Sequence, residues 1–312
     1  MFNSHSVSGF YKKLFLIAVP ITLQQLMQTF VNMLDTIMVG QLGAVEIAAV
    51  GLGNQIFFML NMILFGISSG GSVFIAQFWG KKDLPRIHQT LGIMLFLATI
   101  ISVLFTFAAA FVPEILISFY SKDTSVISFG AKYLRSVCLS YPIMAIGFAF
   151  QFAFRGTEHV KLPMIATIIS FFFNAILNFL LIFGADFSFA GINFSVPALN
   201  VTGAGLATLI SRCIETSILL IFSYAKKYEV CTRLKNIFSF DTSFFAKFSK
   251  IALPVIFNEA LWGFGMTTEN AIFAHAGTAA IAAFNITGTI SQLTWVLIIG
   301  CGNGAGIIIG KY

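Results

Sequence analysis

Apolar residues run along this chain in blocks rather than in the short stripes of a soluble helix or the alternation of a half-buried strand. About 20 consecutive apolar residues, rising ~1.5 Å each, are needed to cross about 30 Å of hydrocarbon. Blocks of that length recur at 14–39, 51–78, 89–112, 133–154, 163–184, 202–224, 251–274 and 285–310, which predicts eight membrane-spanning helices. The first block is too long for a cleaved signal peptide, contains Pro20 and Asp35, and lacks a small-residue cleavage site, so it is expected to remain in the membrane.

Composition agrees with the pattern. Hydrophobic residues make up 58% of 312 positions and charged ones 10%, with a mean hydropathy of +0.91, leaving no polar shell for a soluble fold. The fold class is therefore all-α and polytopic, with the lipid bilayer as solvent. Sorting basic residues by loop puts fourteen on one side (Lys12, Lys13, Lys81, Lys82, Arg86, Arg155, Lys161, Lys226, Lys227, Arg233, Lys235, Lys247, Lys250, Lys311) and Lys122, Lys132 and Arg135 on the other. That asymmetry predicts a cytoplasmic N-terminus in a cell (inner) membrane, and it accounts for the net charge of +6 without nucleic acid. The four cysteines have no paired spacing, no nucleotide or zinc-protease signature occurs, and neither a cofactor nor catalysis is expected. Gly300-Cys-Gly302-Asn-Gly304-Ala305 lies inside an apolar block, where small residues serve close helix packing.

The chain repeats itself. At an offset of 234, IAVPITLQQ (17–25) lies over IALPVIFNE (251–259) and QLGAVEIAAVG (41–51) over HAGTAAIAAFN (275–285), while Gly66 and Gly70 meet Gly300 and Gly304. The expected organisation is a six-helix lobe (1–224), a cytoplasmic linker (225–250) with six basic residues, and the first two helices of a second lobe (251–312). An offset covering an even number of helices makes the lobes parallel repeats about an axis along the membrane normal. By that reckoning four further helices would complete a second lobe, and the chain reads as truncated.

Candidate chemistry sits in the spans. Gln24, Gln28, Asn32 and Asp35 are spaced by four, four and three residues, which keeps them within about 80° on a helix. A polar stripe at membrane depth must face a bundle interior or a watery cavity, and Asp35, its one ionisable member, could carry a proton or offer a hard oxygen to sodium. Glu269 is the counterpart of Asp35 and Asn258 that of Gln24 at the same offset, while Glu259 is a further acidic residue of that helix. Interhelical hydrogen bonding is the alternative role for both glutamates. Ser170, Asn174 and Asn178 share a face of the fifth span, and Thr208 lies in the sixth. Glu215 has Arg212 three residues earlier as an intrahelical partner. Pro20, Pro142 and Pro254 mark kinks, and Pro20 and Pro254 are candidate hinges.

These residues, together with TIMVGQLG (36–43), FWGKKD (78–83), FRGTEHVKLPM (154–164) and NAILNFLLIFG (174–184), resemble the successive signatures of multidrug and toxic compound extrusion (MATE) transporters. The resemblance implies export of small organic, often cationic amphipathic compounds in exchange for Na+ or H+. It makes Asp35 the coupling carboxylate of the N-terminal lobe, with Asn174 in the same site and Thr208 beside it. Asn178 stands where some members carry a second aspartate. Trp262 occupies the position of a glutamate used by one branch, whose site is not expected here. The alternatives are a lipid-linked precursor flippase of the same superfamily, which would line its cavity with basic residues, and a membrane scaffold, which needs no buried polar stripe.

Overall fold

A computed structural model describes residues 7–189, 192–231, 233–237, 239–275 and 278–311. In chain order the elements are α1 (Val7–Gly40), α2 (Ala44–Gly80), α3 (Leu84–Phe111), the short α4 (Pro113–Ser118), α5 (Thr124–Val137), α6 (Ser140–Gly156) and α7 (Lys161–Phe183). A hairpin, β1 (Ala185–Phe189) and β2 (Ile192–Val196), precedes α8 (Asn200–Ala225), the single-turn α9 (Leu234–Ile237), α10 (Thr242–His275) and α11 (Thr278–Lys311).

Among the described residues, six helical segments are long and apolar enough to cross a bilayer: Gly9–Gly40, Ala44–Gly80, Leu84–Phe111, Lys161–Phe183, Asn200–Ala225 and Thr294–Lys311. α5 and α6 together make a seventh, broken span bent by 52°. The protein is thus a multi-pass helical membrane protein. α10 covers the block expected at 251–274.

Local chemistry explains the boundaries. Asp83 caps α3 by accepting from the Arg86 amide at 3.2 Å, with a proline in the first turn, and Asp123 caps α5 by accepting from the Ser125 amide at 2.8 Å. Gly184 ends α7 at φ 73°, a left-handed conformation that turns the chain into the hairpin.

The continuous helix expected over 133–154 is replaced by α5 and α6. In an unbroken helix Pro142 would clash with the carbonyl of Cys138, four residues earlier, and would offer it no N–H. The break places Pro142 in the first turn of α6, and the Cys138 carbonyl instead accepts from the Tyr141 amide at 3.1 Å and from Thr106 Oγ1 of α3 at 3.0 Å. Both α1 and α10 run through Pro20 and Pro254.

The described residues of 225–250, the expected linker, are docked on the bundle. His88 Nε2 lies 2.8 Å from the Glu229 carbonyl, and Gln89 Nε2 donates to the Ser239 carbonyl at 3.2 Å. Val230, Ile237, Phe244 and Phe248 are buried in the core that includes Ile87, Leu91 and Phe154. Its final residues are already helical, since α10 begins at Thr242, where Asp241 accepts from the Phe244 amide at 2.6 Å.

The repeat of 234 reappears as paired contacts. α2 packs on α10 and α1 on α11, and the offset exchanges the two pairs. A Cβ placed on Gly66 would lie 2.8 Å from Ile256 Cα, and one on Gly300 would lie 3.1 Å from Thr22 Cβ. Ile256 is the counterpart of Thr22 (256 − 22 = 234), as Gly300 is of Gly66 (300 − 66 = 234). Likewise a Cβ on Gly70 would meet Ala252 Cβ at 3.6 Å and one on Gly304 would meet Ala18 Cβ at 3.3 Å. Gly310 faces Ala76, its own counterpart, which is the contact expected on a pseudo-two-fold axis. The glycines are where backbones approach too closely for a side chain.

Candidate ion-coupling site

Asp35 lies one turn before the end of α1, half-buried against α7. Asn178, fully buried, donates from Nδ2 to Asp35 Oδ1 and also to Asn174 Oδ1, the latter at 3.0 Å. The i, i+4 spacing of Asn174 and Asn178 on one helix makes both bonds from a single amide possible. Asn178 Oδ1 is buried without a partner among the described residues. An orphaned acceptor beside a carboxylate leaves two oxygens that a proton donor or a cation would satisfy.

One turn deeper, Gln28, Thr167, Asn174, Thr208, Arg212 and Glu215 border a cavity of about 10 Å³. That is roughly the space one water needs. Thr208 reaches it, although its hydroxyl donates to the Ala204 carbonyl at 3.1 Å, and Ser170 Oγ ties α7 to α8 through the Ser211 carbonyl at 2.9 Å.

Beyond the cavity runs a second buried network. Arg212 donates to Glu215 Oε2 at 2.7 Å, the pairing expected from their spacing. Glu215 Oε1 accepts from Thr167 Oγ1 at 2.6 Å and from Gln151 Nε2 at 3.3 Å. Gln24 Nε2 donates to Gln151 Oε1 at 2.8 Å and to Thr167 Oγ1 at 3.2 Å, while its own carbonyl accepts from Arg155 at 2.8 Å. The network links α1, α6, α7 and α8, and every one of these side chains except that of Arg212 is at least nine-tenths buried.

Arg155 corrects the sequence reading. Counted as a loop cation, it is instead 4% exposed near the end of α6, with its guanidinium 4.6 Å over the Phe152 ring. The reason is that α6 extends to Gly156, and Gln24 offers a neutral acceptor inside the lobe. Gln151 and Thr167 were missed as well. Their signal was present: Gln151 stands four residues before Arg155, and Thr167 extends the Ser170, Asn174, Asn178 face by one turn.

The expected stripe on α1 divides. Gln24, Gln28 and Asp35 all face α7 and its neighbours, whereas Asn32 is exposed. In α10 Asn258 is exposed, Glu259 half-buried and Trp262 exposed, and the structure does not bring them to the Asp35 cluster. The side chain of Glu269 lies outside the described residues. Pro20 is buried and Pro254 exposed.

Comparison with known proteins gives the family of the chain. Residues 20–180 match the MatE family. A probable multidrug resistance protein NorM of Thermotoga maritima is 26% identical over 305 residues, covering 96% of this chain and 63% of the relative. The multidrug export protein MepA of Staphylococcus saprophyticus is 25% identical, covering 95% of this chain and 63% of its own length. This chain therefore spans less than two thirds of these relatives. Among solved structures, an outward-facing MATE family transporter of the MOP superfamily superposes with a TM-score of 0.83 at 22% identity, over 96% of this chain and 65% of that one. A MATE crystal structure in the bent conformation gives 0.83 at 21%, over 96% and 66%. With the family matched across more than half its length, and the fold shared with those transporters, the chain belongs to the MATE family of membrane transporters.

Proposed function

We propose that the protein exports organic, cationic amphipathic compounds in exchange for Na+ or H+, with Asp35 as the carboxylate that binds the coupling cation. The observation carrying this reading is the bond from Asn178 to Asp35 beside the unpartnered Asn178 Oδ1. A charged group at membrane depth costs several kcal/mol, about 2.5–3.5 by insertion scales, so its retention in a bundle interior marks a transport role. Cation binding neutralises Asp35 and weakens its hold on Asn178, which couples occupancy of the site to the packing of α1 on α7. Asn174 fixes the Asn178 amide, and Thr208 and Gln28 line the adjoining cavity.

The curated relatives named as multidrug resistance and export proteins support the efflux reading. Orientation with the N-terminus in the cytoplasm is supported by Lys13 and Lys311, which meet on Glu158 and so put the start of α1 and the end of α11 at one basic face. Against the flippase reading, Arg155 and Arg212 are engaged by Gln24 and Glu215 instead of lining an open cavity. The test is accumulation of a fluorescent lipophilic cation in an efflux-deficient bacterium. Cells making the protein retain less dye, and cells making Asp35→Asn retain as much as the empty strain. Equal retention with and without the intact protein contradicts the proposal.

A further inference from the structure

At the basic end of the bundle, away from Asp35, the first turns of α1 and α7 and the chain at Tyr228 enclose a cavity of about 580 Å³. Lys12, Lys13 and Lys161 stand at its rim, and Leu16, Ile17 and Leu162 form its wall. On α1 the polar and apolar parts follow from helix geometry, Leu16 lying one turn along from Lys12 on the same face, and at the start of α7 Lys161 and Leu162 both line the cavity. Leu16 is 55% exposed, so the apolar wall opens toward the surface that faces lipid.

The electrostatics are one-sided. Glu158 accepts from Lys13 at 2.8 Å and from Lys311 at 3.0 Å. Burial pushes its carboxyl upward, but the hydrogen bonds and charges of the two lysines outweigh this and hold it below the ordinary range. It is therefore an anion already engaged. The other nearby carboxylate, Glu229, lies 3.9 Å from His159 Nε2. Three lysines (Lys12, Lys13, Lys161) and one carboxylate, Glu158, thus line a volume large enough for a small-molecule headgroup, with Lys311 bonded to Glu158 from outside it.

We propose that this cavity binds the phosphate headgroup of an anionic phospholipid, whose acyl chains run out along Leu16 and Leu162. Basic pockets between spanning helices at a membrane face recognise phosphate through lysine charge, while the apolar wall distinguishes a lipid from a soluble phosphate ester. The lining comes from α1, the turn before α7, the start of α7 and Tyr228, and Lys311 at the end of α11 reaches the site only through Glu158.

Native mass spectrometry of the detergent-purified protein tests this without any transport assay. It is titrated in parallel with phosphatidylglycerol, phosphatidylcholine and glycerol phosphate. Phosphatidylglycerol binds at least about tenfold more tightly than the other two, and Lys12→Gln with Lys161→Gln weakens it about 25-fold, about fivefold per lysine. Lys12→Arg with Lys161→Arg, which keeps the charge, retains binding, and Lys235→Gln, in α9 outside the cavity, leaves it unchanged. Equal binding of the two lipids, or an unaltered affinity in the double glutamine variant, overturns the proposal. Glycerol phosphate binding as tight as phosphatidylglycerol would assign the cavity to a soluble phosphate and overturn the lipid assignment.

Discussion

Asn178 of α7 donates to Asp35 of α1 while its own side-chain oxygen is buried and, among the described residues, without a partner. Asp35 is thereby met by a neutral amide where a second carboxylate would repel it, so under the proposed function a coupling cation would meet one full charge there.

Restoring a carboxylate tests that reading. Asn178→Asp places two anions side by side, so the pair binds its first cation more strongly. Half-maximal efflux should shift to a lower concentration of the coupling cation, measured as transport rate against sodium at fixed pH and against pH without sodium. Unchanged dependence in both series would separate Asn178 from the site.

The network around Gln24 is a stability element. Gln24→Leu removes the acceptor of Arg155 and the donor to Gln151 and Thr167, leaving buried polar groups unmatched. Each such group costs about 1–3 kcal/mol. Thermal unfolding in detergent should begin at clearly lower temperature than for Asn32→Leu, which changes an exposed residue of the same helix. Equal melting of the two variants would show that the network contributes nothing.

The pseudo-two-fold contacts predict matched effects. Gly66→Val must displace the Ile256 backbone and Gly300→Val the Thr22 side chain, whereas Gly302 has nothing within 4 Å of an added Cβ. Overpacking of this kind costs about 1–3 kcal/mol. Both Gly66→Val and Gly300→Val should lower the melting temperature while Gly302→Val does so far less. A loss confined to one of the first two would break the equivalence of the contacts.

Glu158 gives a pH dependence outside the spans. Burial raises its carboxyl, yet the bonds from Lys13 and Lys311 dominate and depress it below the ordinary 4.5. A depressed acid contributes stability that is present above its unfolded value and is lost as pH falls through the lower folded value. Between neutral pH and about 4.5 the contribution is flat, and below that it declines. Glu158→Gln should lower the melting temperature at neutral pH, and the gap to the native protein should close in acid. A gap that persists at the acid end contradicts the ion-pair account.

Sequence periodicity revealed the spans and the repeat because bilayer thickness and an internal duplication both leave long-range marks, as Pro20 over Pro254 and Gly66 over Gly300 illustrate. That Asp35, Asn174 and Asn178 meet was legible because a carboxylate and amides at helical spacing need polar partners at membrane depth, and the structure brings them together. The break at Cys138 was not, since whether Pro142 kinks a helix or restarts one depends on Thr106 being there to take the freed carbonyl. Nor was the burial of Arg155, which requires Gln24 of α1, more than a hundred residues away in sequence, to meet its guanidinium inside the bundle.

The central claim, that Asp35 couples a cation gradient to export, is tested most directly in proteoliposomes holding a lipophilic cation, with a sodium or a proton gradient imposed alone. The native protein should move substrate against its own gradient under one of the two, and Asp35→Asn, inserted at the same density, should move none under either. Uphill transport by Asp35→Asn at the native rate would contradict the account.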